Sequence, residues 1–192
     1  MLSLEYVGKY QPEGLKGIVF GGPFLDVDTW VNDANRLIAS LDGGQEMLAE
    51  IRKCEATGVY TEKFDEINET YSLNFNNRHP QDCKDRPYMG YTDSQYLRIA
   101  GVDVYEYMWG KSEFSCTGTL AHHDSTPLLA NVKVPVIYMP GQYDAGTPQA
   151  AFYYASLTPN AQVAVIPDSA HAASMERPVE FSTILNEFLN RL

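Results

Sequence analysis

Residues 134–144 read VPVIYMPGQYD, an apolar run that passes through Pro and Gly and ends in a carboxylate, Asp144. Such a run predicts a strand buried in a parallel sheet. A second apolar run over residues 161–166 predicts the next strand, and His171 follows it closely. The carboxyl ends of parallel strands meet at one edge of a sheet, where α/β proteins place their sites. We therefore expect Asp144 and His171 to lie side by side at that edge.

An acid after one strand and a histidine after the next is the second half of the order nucleophile, acid, histidine found in one class of hydrolase triads. The histidine of such a triad moves the nucleophile's proton, and the acid fixes the imidazole tautomer. The alternative is a solvated loop aspartate beside an incidental histidine. The nucleophile motif of this order, Gly-x-Ser-x-Gly, does not occur in the 192 residues. None of the other candidate nucleophiles is predicted on a sharp strand-to-helix turn; they are Ser3, Ser112, Ser115, Cys116 and Ser125.

The whole pattern predicts an α/β fold with three parallel strands and flanking helices, the strands lying near residues 16–20, 134–139 and 161–166. Helical periodicity fills most of the interval between the first two strands, with helices over 28–41, 45–57 and 61–78, a loop over 79–91 and an ambiguous stretch over 92–108. Further helices are predicted over residues 1–10, 147–157 and 177–192.

These patterns divide the chain into three segments. Residues 1–25 are predicted to start the α/β core, and residues 127–192 to complete it with the acid and histidine loops. Residues 26–126, in which helices do not alternate with strands, are predicted to form an inserted helical lobe that caps the site.

The composition limits the classes of partner. The net charge of −11 argues against nucleic acid and against an anionic membrane as partners. No apolar run is long enough to predict a transmembrane helix, and the first residues lack the pattern of a signal peptide. The odd set of cysteines, at unpatterned spacing, predicts neither a disulfide framework nor a zinc site and indicates a cytoplasmic protein; they are Cys54, Cys83 and Cys116.

Several motifs together resemble the C-terminal part of the prolyl aminopeptidase (proline iminopeptidase) family of α/β-hydrolases, over nearly all 192 residues. The resemblance is carried by LKGIV with a following GG at residues 15–22, WGKSEF at 109–114, TGTL at 117–120, GQYDAGTP at 141–148 and SAH at 169–171. It implies an α/β-hydrolase fold with a helical cap, in which Asp144 orients the histidine and His171 is the general base and acid. It also implies that the carboxylate of Glu113 is buried and binds the free ammonium group of a substrate; the alternative is an ordinary surface carboxylate in a loop.

The resemblance implies removal of N-terminal proline, or another small residue, from small peptides by serine-hydrolase chemistry, without a metal or an organic cofactor. Residues 1–6, MLSLEY, resemble the helix that follows the family's nucleophile elbow. We therefore expect the chain to begin just after that elbow and to be inactive alone. The resemblance further implies a sheet that continues beyond the strand near residues 16–20, so self-association or binding of a complementing N-terminal segment is expected.

Some features leave alternatives open. The family often has a glutamate directly after the catalytic acid, and Ala145 stands there, which puts strict aminopeptidase specificity in doubt. The alternatives are an ester or amide hydrolase without amine selectivity, and a non-catalytic fragment that binds peptides or a partner chain. His122, His123 and Asp124 suggest a metal site by composition, but a return loop is the preferred interpretation. His79 is expected to be solvated. Five tyrosines either line a pocket for a proline ring or belong to the core of the lobe; they are Tyr88, Tyr91, Tyr96, Tyr105 and Tyr107.

Overall fold

The computed structural model of the protein describes residues 1–80 and 101–192. Within these residues one parallel sheet has the strand order β1-β2-β3, with β1 at Ile18–Phe20, β2 at Val136–Tyr138 and β3 at Ala161–Val163. The central strand β2 is fully buried, as its unbroken apolar sequence predicts. The predicted sheet is confirmed, but each strand is shorter than its apolar run. After the ends of β2 and β3, for example, the two chain segments pair again only through one isolated parallel bridge, between Gly141 and Ile166.

Helices surround this sheet. They are α1 (Leu2–Tyr10), α2 (Val27–Ala39), α3 (Gly44–Thr57), α4 (Glu62–Tyr71), α5 (Val102–Met108), α6 (Pro148–Leu157), α7 (Ala173–Glu176) and α8 (Pro178–Leu189). The helix predicted over 61–78 is α-helical only as far as Tyr71 and continues as a π-helix over Ser72–Asn76. The helix predicted over 177–192 is preceded by the separate short helix α7. The part of the predicted loop from residue 81 to 91, and the first nine residues of the ambiguous stretch, lie outside the described residues.

Side-chain caps explain where several helices begin. The Asp26 carboxylate accepts the backbone N–H groups of Asp28 and Thr29, so α2 starts at Val27 rather than at the predicted residue 28. Thr147 caps α6 in the same way, by accepting the N–H of Ala150 at 3.1 Å. Helix α6 therefore begins immediately after the turn that carries Asp144.

The apolar residues form separate clusters. Two clusters cover the sheet, one including α1 and α6 and the other including α8. A third cluster lies among α2, α3 and α4 and contains Trp30, Phe64 and Tyr71. The helical segment thus has a core of its own, while the boundaries at residues 25/26 and 126/127 remain a prediction.

Two other sequence features have structural outcomes. None of the helices in the described ranges is long and apolar enough to cross a membrane. Cys54 and Cys116 are free thiols, the former buried, and Cys83 lies outside the described residues.

The outer strand β1 pairs on one side only within residues 1–80 and 101–192. The N–H of Ile18 bonds to Pro135, and the carbonyl of Phe20 accepts from Met139, both on the β2 side. Because backbone groups alternate in direction along a strand, the N–H and carbonyl of Val19 point to the unpaired side. The Val19 residue itself is 36% exposed. An unpaired strand edge of this kind is a template for another strand.

We expect the 192-residue chain to self-associate through this edge, and more strongly in salt that screens its charge of −11. Val19→Pro removes the outward N–H without touching the bonds to β2 and should weaken association, measured by sedimentation over a range of protein and salt concentrations. Val163→Pro, which changes the corresponding outward position of β3, is the matched control. A wild-type chain that is monomeric throughout, or an equal effect of both substitutions, would contradict this assignment.

Candidate active site

The predicted acid lies in a turn that fixes its carboxylate. Asp144 follows β2 and is only 1% exposed. Its Oδ2 accepts the backbone N–H of Gly141 at 3.1 Å, and its Oδ1 accepts that of Gly146 at 2.7 Å. A buried carboxylate is costly unless its oxygens accept hydrogen bonds, and these two amides supply them from the turn itself.

The predicted histidine lies beside this carboxylate. Nδ1 of His171 is 2.8 Å from Oδ1 of Asp144. The two side chains differ in exposure, since that of Asp144 is fully buried and that of His171 is 41% exposed. The indole ring of Trp30 packs edge-on against the imidazole, with 5.7 Å between ring centroids. Within the described part of the chain, Nε2 of His171 has no hydrogen-bond partner, so it is available to another group.

The charges around His171 raise its pKa. Partial burial by itself lowers the pKa of the imidazole, but the hydrogen bond and the charge of Asp144, with a smaller contribution from the charge of Glu113, outweigh it. The net result is a pKa above the ordinary value of 6.5. An imidazole in this range can both accept and return a proton near neutral pH.

The acid turn and the histidine loop pack as one unit. The N–H of Tyr143 donates to the carbonyl of Ser169 at 2.9 Å, and the side-chain oxygen of Gln142 accepts the N–H of Asp168 at 3.0 Å. A side chain at Gly141 would be blocked, because its Cβ would lie 2.2 Å from a carbonyl oxygen of the histidine loop. These contacts join the two loops to each other.

Gly22 closes the other side of the pair. Its φ of +64° is in the region that favours glycine, and a Cβ there would lie 2.5 Å from Nδ1 of His171 and 3.1 Å from Oδ2 of Asp144. From the sequence, Gly22 was recognised only as part of the Gly-Gly doublet that follows the first predicted strand. The pair Gly21-Gly22 directly after a buried strand is the signal that indicates a close approach of the backbone to a site.

A cavity of about 310 Å³ contains both His171 and Glu113 in its wall. The other lining residues are mostly apolar: Gly22, Phe24, Trp30, Tyr105, Met108, Trp109 and Leu120. Glu113 is half-buried rather than buried as expected, and its Oε1 accepts the hydroxyl of Tyr105 at 2.8 Å. The backbone carbonyl of Glu113 accepts the indole N–H of Trp30 at 2.6 Å, which fixes this wall to the ring that packs on His171. Of the three predicted site residues, His171 and Glu113 therefore line one cavity, and Asp144 contacts it only through His171.

Comparison with known proteins shows which proteins the chain resembles. A curated proline iminopeptidase of Heyndrickxia coagulans is 32% identical over 186 residues, which cover 95% of this chain and 61% of that protein. The crystal structure of a proline iminopeptidase from Mycobacterium smegmatis matches with a TM-score of 0.80 and 25% identity, over 100% of this chain and 62% of its own. The crystal structure of VinJ matches over the same shares with a TM-score of 0.81 and 22% identity.

The chain has an α/β-hydrolase fold and is similar to proline iminopeptidases. The predicted resemblance and the predicted fold class are therefore confirmed. No protein-family model matches the chain. The chain spans about three fifths of the length of the curated proline iminopeptidases that it matches.

The remaining sequence predictions have mixed outcomes. His122 pairs with Asp28 at 2.9 Å and His123 lies 3.1 Å from Ser125, and no metal-binding cluster occurs among residues 1–80 and 101–192. The hydroxyl of Ser125 donates to Glu5, so it is not activated by the neighbouring histidine. Of the tyrosines proposed for a pocket, Tyr105 lines the cavity and Tyr107 is exposed, while Tyr88, Tyr91 and Tyr96 lie outside the described residues.

Phe75 also belongs to this hydrolase-like site, a role that was not predicted from the sequence. The carbonyl oxygen of Phe75, in the π-helix, accepts the N–H of Ala145 at 3.0 Å and the N–H of His171 at 3.1 Å. One carbonyl therefore joins the residue after the acid to the histidine. A π-helical turn often marks a functional site, but the 3.6-residue periodicity of residues 61–78 does not reveal it.

Replacing the acid should lower the pKa of the histidine. In Asp144→Asn the negative charge is lost while burial of the ring remains, so we expect the pKa of His171 to fall. An NMR titration of the four histidines measures it. Asp28→Asn is the matched control, because it removes the carboxylate beside His122 and should leave His171 unchanged. An unchanged or higher pKa of His171 in Asp144→Asn would refute the assigned pairing.

Proposed function

We propose that the chain carries the acid, histidine and substrate-binding parts of a serine-type aminopeptidase that releases proline, or another small residue, from the N-termini of small peptides. The observation that carries this proposal is the shared cavity, in which Glu113 and His171 border one apolar space. The similarity to proline iminopeptidases supports it independently.

The cavity suits a substrate with a cation and a small apolar ring. The carboxylate of Glu113 would accept a charge-assisted hydrogen bond from the substrate's free amine, whereas Trp30, Trp109 and Phe24 offer apolar contact to a pyrrolidine ring. Tyr105 donates to one carboxylate oxygen and so orients the other. A volume of about 310 Å³ is at the lower end of the range for ligand pockets, which agrees with a small residue.

In this proposal the proton moves through His171. Nε2 would take the proton of an attacking serine hydroxyl, and Asp144 would hold the Nδ1–H and stabilise the imidazolium. The imidazolium would then protonate the leaving amine of the peptide, and a water activated by the same nitrogen would release the acyl group. The serine and the oxyanion donors would come from a segment that precedes these residues in the complete enzyme, since the sequence here has no Gly-x-Ser-x-Gly.

A second candidate is an ester or amide hydrolase without amine selectivity. Ala145 favours it, because the family often has a glutamate at this position. The residue is 1% exposed, and its methyl group packs in the apolar cluster of the helical segment. Because residue 145 has no carboxylate, Glu113 is the one carboxylate that the resemblance implies for binding the substrate's amine. Selectivity for a substrate with an N-terminal cation therefore depends on Glu113.

A chimera tests the proposed chemistry. The 192-residue chain alone should not react with a fluorophosphonate probe or hydrolyse a proline arylamide, because loss of a triad nucleophile costs on the order of 10⁶ in turnover. Joining it to the unmatched N-terminal part of the Heyndrickxia coagulans relative should produce both reactions. His171→Ala in the chimera should remove roughly four orders of magnitude or more of the turnover. Labelling of the isolated chain, or a folded chimera that turns over equally with and without His171, would refute the proposal.

Substitution of Glu113 separates the two candidate functions. In the chimera, Glu113→Gln removes the charge that would hold the substrate's ammonium, a contact worth roughly 1.5–3 kcal/mol, or on the order of 10- to 100-fold in kcat/KM. Hydrolysis of a simple acyl ester without an amine should change little. Glu106→Gln, which removes a neighbouring carboxylate paired with Lys111, is the control. Equal losses on both substrates would favour the hydrolase without amine selectivity.

A further inference from the structure

A short stretch of the chain, residues 75–79, lies against both loops of the acid–histidine pair, and we refer to it as the anchor segment. The carbonyl of Phe75 accepts from Ala145 and His171, as described above, and the carbonyl of Asn76 accepts the N–H of Ala172 at 2.9 Å. The guanidinium of Arg78 lies over the ring of Tyr143, 4.1 Å from its centroid. The anchor segment therefore contacts the acid turn and the histidine loop at once.

Glu176 joins the same two parts from the other side. It ends α7 and is only 3% exposed. Its Oε2 accepts the N–H of Ala170 at 2.5 Å, and its Oε1 accepts the N–H of His79 at 2.7 Å. One buried carboxylate thus links the residue before the histidine to the end of the anchor segment. His79, which the sequence predicted to be solvated, is half-buried in this contact.

Hydrogen bonds from three consecutive backbone amides hold the chain around His171. The N–H groups of residues 170, 171 and 172 donate to Glu176, to Phe75 and to Asn76 respectively. Residues 167–172 form neither helix nor strand, so no regular ladder holds this loop. The placement of the imidazole against Asp144 therefore depends on individual bonds, which include these three and the bonds from the acid turn to residues 168 and 169. Glu176 supplies the only one of the three whose acceptor is a side chain.

A role in general stability alone does not account for the geometry of Glu176. A buried carboxylate has acceptors only, and desolvating it is favourable only when strong donors meet both oxygens. Both donors here are backbone amides, and one of them belongs to the residue that precedes His171. An apolar side chain of similar size would fill the same space but would leave both amides without an acceptor.

We infer that Glu176 is a positioning residue for His171: it holds the histidine loop against the anchor segment so that Nδ1 stays on Asp144 and Nε2 faces the cavity. The catalytic meaning of this placement rests on the proposed function. The geometric part does not, because the bond between His171 and Asp144 can be observed without any turnover.

The test compares two substitutions of Glu176 in the 192-residue chain. Glu176→Gln replaces one acceptor oxygen by a donor, so one of the two amides loses its acceptor. Glu176→Asp keeps the charge but is shorter by one methylene and cannot reach both amides. NMR follows the Nδ1 proton of His171, identified by its loss in Asp144→Asn, together with the titration of the ring, which Asp144 and Glu113 both influence.

We expect both substitutions to broaden or shift the Nδ1 proton signal and to lower the pKa of His171 toward 6.5. Glu180→Gln, which removes an exposed carboxylate from α8, should change neither. A fall in pKa with Gln but not with Asp would mean that Glu176 acts through its charge, which would overturn the inference. So would an unchanged Nδ1 signal in both variants. If neither variant folds, Glu176 is a residue of overall stability and the inference is likewise wrong.

Failure of this inference is distinguishable from failure of the proposed function. The NMR experiment needs no nucleophile and no substrate, whereas the chimera is scored by probe labelling and by turnover. An active chimera with an unaffected His171 signal in the Glu176 variants would remove only the positioning role. An inactive chimera with the expected NMR changes would remove only the proposed chemistry.

Discussion

The hydrogen bond between His171 and Asp144 is the constraint on which the rest of the site depends. The two residues follow neighbouring parallel strands, β3 and β2, and are 27 positions apart in the chain. For Nδ1 to lie 2.8 Å from the carboxylate, both loops must approach closely. That approach explains why residues 141 and 22 are glycines, since a Cβ at either position would overlap the opposing loop or the imidazole itself. The acid turn, in turn, supplies the amides that make a buried carboxylate tolerable.

The helical segment decides what the histidine faces. The sheet and its loops place the imidazole, but the cavity wall opposite it comes from α2, from α5 and from the residues around Glu113. The indole of Trp30 packs on His171 and at the same time donates to the backbone of Glu113, so the substrate-facing wall and the proton-transfer residue share one contact. A change in the helical segment therefore affects both binding and the environment of the histidine.

Much of this architecture follows from local sequence patterns. The three strands, the placement of Asp144 and His171 after two of them, and the helices before residue 80 depend on apolar periodicity and on Gly and Pro, which are visible in a single sequence. The π-helix after Tyr71 was not predicted, because a change from a 3.6-residue to a wider turn leaves no local signal. The carbonyls of this π-helix accept hydrogen bonds from the acid turn and the histidine loop, which lie about 70 and 96 residues later in the chain. Its role is therefore visible only in the folded structure.

The role of Glu176 could not be predicted for a similar reason. In the sequence it is one acidic residue directly before the amphipathic helix predicted over 177–192, where carboxylates are common and usually solvated. Its burial depends on α7 forming a separate short helix, and its partners lie in a loop and in a segment 97 residues away. Gly22 is an intermediate case. The Gly-Gly doublet at residues 21–22 indicates that the backbone approaches another group closely, but the sequence does not show that this group is the imidazole of His171. Tertiary contacts, rather than residue type, define these positions.

The tautomer of His171 tests the central claim most directly. If Asp144 orients the ring, the neutral imidazole carries its proton on Nδ1 and leaves Nε2 as the base that faces the cavity. Nitrogen-15 NMR of the 192-residue chain, at a pH above the pKa of His171, distinguishes the two ring nitrogens. The structure predicts a protonated Nδ1 and a bare Nε2. A proton on Nε2, or an average between the two tautomers as in a free histidine, would contradict the account.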